Sequence, residues 1–172
     1  RIESLMLVPY SAMSAIIGPF VGQNLSAGRD DRIVQALRLC AGFCIVSGLV
    51  IAAALALLAN ALPALFSDSP AVISVARSFL WIAPLGYGAY GVVMVMNAAF
   101  NGMGHPMPGV AISVGRMLVL YVPLAVVGML VLDERGIFAA YAAANVLSGV
   151  IAYNWARSTV RRKCGETAVV TG

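Results

Sequence analysis

Tyr87, Tyr90, Met94, Asn97 and Asn101 recur along the chain at steps of three, four, three and four. On a helix that spacing gathers two phenol rings, a thioether and two amides into one stripe. Ring faces attract positive charge and a polarizable methionine adapts to varied shapes. The stripe therefore suits one wall of a cavity for bulky organic cations. The plainer alternative is that these groups bond to neighbouring helices and hold a bundle together, at about 0.6 kcal/mol per contact. Tyr141, Asn145 and Ser148 repeat the pattern more weakly. Tyr87, Tyr90, Met94, Asn97, Tyr141 and Asn145 are thus the candidate substrate-binding residues.

Few other residues could do chemistry. Glu3 is the one carboxylate outside an obvious loop. Buried in lipid, such a group can exchange a proton near neutral pH, which makes it the candidate for ion coupling; at the interface beside Arg1 it would be inert. Arg116 lies two turns into an apolar segment and is expected to snorkel to the membrane surface. His105 stands alone in a Gly/Pro turn and reads as a loop residue. Cys40 and Cys44 share a helical spacing but lack the further ligands that structural zinc needs, so they read as packing residues. Cys164 reads as a free thiol, and no metal or cofactor is expected. Asp30-Asp31 is the only adjacent aspartate pair and sits among arginines. A lipid-linked transferase would need a second acidic or His/Asp motif, so an enzyme is not expected.

The elements that carry these residues are membrane helices. Apolar residues make up 61% of the chain and charged ones 10%, against about a quarter charged in soluble domains. No charge falls between Leu39 and Phe66 or between Ser78 and Gly104. Each run exceeds the roughly 20 residues that cross a hydrocarbon core, where only a helix satisfies its own backbone. Five segments follow, at about 4–26, 33–66, 71–102, 108–132 and 136–160. The breaks "SAGRDDR", "FSDSP", "NGMGHPMPG" and "LDERG" have turn chemistry. Pro9, Pro19, Pro84 and Pro123 fall inside spans and permit kinks. Gly18 and Gly22 form a GxxxG that lets backbones approach closely.

The chain begins with Arg1 and enters an apolar segment at once, without the pattern of a signal peptide. It is expected to be a fragment lacking its N-terminal part. Arg29, Arg32, Arg38, Arg157, Arg161, Arg162 and Lys163 share one side of a five-span layout, with Arg77 and Arg135 opposite. The positive-inside rule then places the C-terminus in the cytoplasm, with the protein multi-pass in the cell inner membrane. The net charge of +4 reflects topology, since no solvated basic face interleaved with aromatics suggests nucleic acid.

"VGQNLSAGRDDR", "LFSDSPAVISVARSFLWIAP", "NAAFNGMGHPMPG" and "RMLVLYVPLAVVG" occur in this order. Together they resemble the C-terminal lobe of multidrug and toxic compound extrusion (MATE) transporters, from partway through helix eight to helix twelve. The resemblance covers about residues 1–160, with 161–172 a cytoplasmic tail. It implies a twelve-helix protein of two six-helix lobes that binds substrate between them. It further implies export of organic cations and drugs in exchange for protons or sodium, with an N-terminal lobe as partner. Sodium-coupled members carry a carboxylate in helix ten where this chain has Tyr90, and position 26 is Ser rather than Gly. Coupling would then fall to Glu3 or to a carboxylate in the N-terminal half. A lipid-linked precursor flippase of the same superfamily is the nearer alternative, although only Arg116 could contribute to the cationic cavity it prefers.

In intact cells, a thiol reagent that cannot cross membranes should modify an Arg135→Cys variant and spare Cys164. Modification of Cys164 with protection at 135 would invert the topology.

Overall fold

The computed structural model describes residues 2–170, with side chains described over 4–163. It is helical throughout, with no strand among the described residues. The elements are α1 (Ile2–Met6), α2 (Val8–Ser26), α3 (Asp30–Leu58), α4 (Pro70–Ile82), α5 (Tyr87–Gly102), α6 (Met107–Val114), a π-helical stretch (Gly115–Tyr121) and α7 (Val122–Val170). Asp30–Leu58, Pro70–Gly102 and Met107–Lys163 are each long and apolar enough to cross a membrane. The last of these crosses twice. Asp133 has φ 52° and ψ −139°, and Gly136 lies back against Gly128, so α7 is a helical hairpin with arms before and after 133. The protein is an all-α integral membrane bundle.

Proline and glycine chemistry sets the breaks. Pro9 occupies the first turn of α2, just after the interruption at Leu7. Pro84 sits in the 3₁₀ turn Ala83–Gly86 between α4 and α5, where its ring and missing N–H cannot continue an α-helix. Pro19, by contrast, stays inside α2 without ending it. The ends of α2 and α5 are built alike. Gly28 (φ 64°) and Gly104 (φ 67°) take the left-handed conformation that side chains resist. Arg29 N–H then donates to the Asn24 carbonyl at 2.9 Å, and His105 N–H to the Phe100 carbonyl at 3.0 Å. These are Schellman caps, which satisfy carbonyls that would otherwise be orphaned. The polar hinge at 27–29 therefore closes one helix and lets the chain re-enter lipid. After its second arm α7 carries helical backbone through the basic residues to Val170.

The core lies along α5. Val92, Val93, Val95, Met96, Ala99 and Phe100 are all buried. α5 is approached on three sides through residues without side chains. A Cβ on Gly18 would stand 3.3 Å from the Ala98 carbonyl oxygen, and one on Gly22 3.2 Å from that of Gly102. The GxxxG pair thus packs α2 along α5, and the two run parallel. Gly48 of α3 meets Gly88, where a Cβ would come within 2.5 Å of backbone nitrogen. Gly149 in the second arm of α7 lies against Ala89, with 3.0 Å left for a Cβ. Outward-facing residues such as Leu39, Val46, Leu57 and Leu130 are apolar and exposed, as lipid contact requires. Arg29 and Arg32 lie at the same membrane face as Lys163, while Arg77 and Arg135 line one cavity at the opposite face.

Gly48→Ala and Gly102→Ala should each lower the melting temperature of purified protein by the equivalent of about 2 kcal/mol or more, because backbone must move. Gly42→Ala, with open space around its Cα, should be neutral or slightly stabilising. Equal effects at all three positions would remove close approach as the reason for these glycines.

Candidate functional site

Apolar side chains cannot draw helices together in lipid, so the polar groups that meet between them are informative. The densest such meeting joins α5, the π-helical stretch and the second arm of α7. Arg116 Nη1 donates to Asn145 Oδ1 at 2.9 Å. Its guanidinium also lies over the Tyr90 ring, 4.7 Å from the centroid. Asn145 is fully buried and Tyr90 half-buried. Arg116 is about nine residues beyond the start of α6, or about 14 Å along the axis, near the middle of a hydrocarbon core. It does not snorkel. A charge at that depth must face the bundle and be paired, and here an amide oxygen and a ring face receive it.

Local chemistry explains how it gets there. Pro123 has no N–H to give to the turn before it, and its ring crowds the carbonyl of Val119. The helix widens there into π geometry over Gly115–Tyr121, a distortion that recurs at functional sites. Tyr121 then stands edge-on to Tyr141, with centroids 6.1 Å apart and planes at 88°. Gly86 opens the other side, since a Cβ on it would meet Asn145 Nδ2 at 3.1 Å.

The hydrogen-bond inventory of this group does not close. A guanidinium can only donate, so the amide atom facing it is an oxygen and the outward atom is the Asn145 NH₂. Arg116 Nε and Asn145 Nδ2 are both buried and neither has an acceptor. Each unmet donor costs about 1–3 kcal/mol. Each unmet donor has the chemistry to take a carboxylate, a phosphate oxygen or a ring carbonyl.

The other sequence candidates divide. Asn97 faces α6, where its Nδ2 donates to Ser113 Oγ at 3.0 Å and Ser113 passes a bond to the Gly109 carbonyl at 2.9 Å. Tyr87 is buried at the start of α5, Met94 packs half-buried against the core, and Asn101 is exposed. Ser148 is buried and donates to the carbonyl of Ala144 at 2.6 Å. Tyr90 and Asn145 are therefore brought together through Arg116, with Tyr141 one aromatic pair away. Glu3 lies on α1, and its side chain is outside the described residues. The sequence reading missed Arg116 as the centre of the group. Its signals were an arginine in the middle of an apolar run and a proline seven residues later.

Residues 1–127 match the family model MatE. A Shewanella oneidensis protein named FAD transporter is 33% identical over 153 residues, which are 89% of this chain and 34% of that protein. The solved structure of the Vibrio cholerae MATE transporter VcmN in its bent form superposes with a TM-score of 0.87 at 26% identity. That match covers 95% of this chain and 38% of the other. A MOP superfamily transporter from Pyrococcus furiosus gives a TM-score of 0.86 at 21% identity over 95% of this chain and 37% of its own, a likeness of fold. The chain spans little more than a third of the length of these relatives.

Asn145→Leu should strand a buried guanidinium and lower the melting temperature sharply. Arg116→Met should cost far less, because an apolar replacement removes the charge along with its need for a partner. The double variant should recover most of what Asn145→Leu loses, a coupling of about 1–3 kcal/mol. Strict additivity of the two changes would mean that the pair is not the link between these helices.

Proposed function

We infer that this chain, which belongs to the MatE family of transporters, forms one lobe of a two-lobe, twelve-helix secondary transporter. In that reading a small organic substrate binds between the lobes, and proton or sodium flow drives its movement. The chain forms one wall, and a second lobe supplies the other. The arginine-rich face is cytoplasmic by the positive-inside rule, in the plasma membrane.

The substrate class follows from the Tyr90–Arg116–Asn145 group. An aromatic molecule bearing anionic or carbonyl acceptors would stack near Tyr90 or Tyr141 and accept from Arg116 Nε and Asn145 Nδ2. The relative named FAD transporter supports this reading, since a flavin dinucleotide combines ring carbonyls with phosphates. The single observation that carries it is the pair of buried donors without acceptors. Export of organic cations and drugs is the second reading, favoured by the Tyr121–Tyr141 pair. It is weakened because the guanidinium already covers the Tyr90 face and would repel a cation. Coupling is proposed to rest on Glu3 or on a carboxylate of the other lobe. Among the described residues Asp30, Asp31, Asp68, Asp133 and Glu134 all lie at helix starts or turns.

The test uses the full-length protein in liposomes, with FAD and a cationic dye such as ethidium as competing substrates. Arg116→Met should weaken FAD binding about ten- to a hundred-fold, the worth of a hydrogen bond to a charged group, and leave ethidium unchanged or improved. Tyr90→Ala, which removes the ring that holds the Arg116 guanidinium, should weaken it about two- to thirty-fold. Loss of ethidium binding with FAD unaffected would reverse the choice between the two readings.

A further inference from the structure

At the face where α2, α5 and α7 end, a cavity of about 220 Å³ is lined by His105, Pro108, Trp155, Thr159, Arg162 and Lys163. Three basic side chains converge there from two elements, the turn after α5 and the end of α7, and among the described residues no carboxylate lines the space. Lys163 is anchored at its edge, with Nζ donating to the Met103 carbonyl at 2.8 Å, where a cation also complements the negative end of α5. Trp155 stands edge-on to Phe100, with centroids 6.2 Å apart, which fixes the indole.

Trp155 also lines a second cavity of about 220 Å³, deeper between α6 with its π-helical continuation and the second arm of α7. Ala111, Ile112, Val119, Leu120 and Ile151 give that slot apolar walls, with Arg116 and Ser148 as its polar residues. A basic mouth at the membrane surface and a deeper apolar slot thus share Trp155 as a common wall. Basic pockets between membrane helices suit phosphate headgroups, and indoles favour the headgroup level.

We propose that this groove binds an anionic phospholipid. The phosphate sits among His105, Arg162 and Lys163, and one acyl chain runs past Trp155 into the slot. Inorganic phosphate would be held by the mouth alone and would make no use of the apolar walls. The slot shares Arg116 with the Tyr90–Arg116–Asn145 group, whereas His105, Arg162 and Lys163 of the mouth take no part in that group.

The test takes the full-length protein, equilibrates it in bilayers of equal parts phosphatidylcholine and phosphatidylglycerol, and counts retained lipids by native mass spectrometry. Phosphatidylglycerol should be enriched. Arg162→Gln and His105→Gln should each cut that enrichment, the former by about five-fold, as one basic charge near the surface is worth. Both variants leave the Lys163–Met103 bond in place, so the melting temperature should hold. Short-chain phosphatidylglycerol, which lacks the reach to fill the slot, should compete poorly, and millimolar inorganic phosphate should not compete. Unchanged enrichment in both variants would overturn the site. Displacement by inorganic phosphate or the short-chain lipid as readily as by long-chain phosphatidylglycerol would overturn the lipid assignment.

Discussion

Lipid tails are as apolar as leucine, so helices in a membrane gain little by hiding apolar side chains from one another. Close packing and polar contacts must hold them instead. In this protein the close packing comes from backbone approach along α5. Gly18 and Gly22 set α2 against Ala98 and Gly102, Gly48 meets Gly88, and Gly149 meets Ala89. Dispersion attraction falls steeply with distance, so an added methyl group at such a crossing removes far more than its own contacts. With three neighbours held by backbone, α5 becomes a fixed axis, and its side chains have defined positions relative to all of them.

That axis explains the polar site. Tyr90 projects from α5 toward Arg116, and Asn145 is delivered by the arm of α7 whose Gly149 fixes its register on Ala89. The π-helical stretch before Pro123 then brings Arg116 between them. A guanidinium at mid-membrane would be expensive on an isolated helix. Here the amide oxygen and ring face offset part of that cost. The donors at Nε and Asn145 Nδ2 find no acceptor among the described residues, so the remainder is not offset there.

Much of this was legible in the residues themselves. Charge-free runs bounded by glycine, proline and arginine mark the spans because lipid forbids unpaired backbone, and that rule acts locally. Gly18 and Gly22 are four apart on one helix, so their packing role is visible as a spacing. Gly48 and Gly88 are forty residues apart, and nothing in either local pattern pairs them. Periodicity placed Tyr87, Tyr90, Met94, Asn97 and Asn101 on one stripe, but a helix face spans several neighbours. Asn97 turns to Ser113 of α6, and Tyr90 to Arg116. The inward course of Arg116 depends on the π turn and on Asn145, twenty-nine residues downstream. Snorkelling is the default for a single helix, and only tertiary packing overrides it.

The claim on which this rests is that Arg116 points into the bundle and not toward the membrane surface. Solid-state NMR of isotopically labelled protein in phospholipid bilayers tests it directly. The structure predicts a strong dipolar correlation between the Arg116 guanidinium carbon and the Asn145 side-chain carbonyl, lost in Asn145→Leu, with none to lipid phosphorus. A guanidinium that correlates with headgroup phosphorus and not with Asn145 would contradict it.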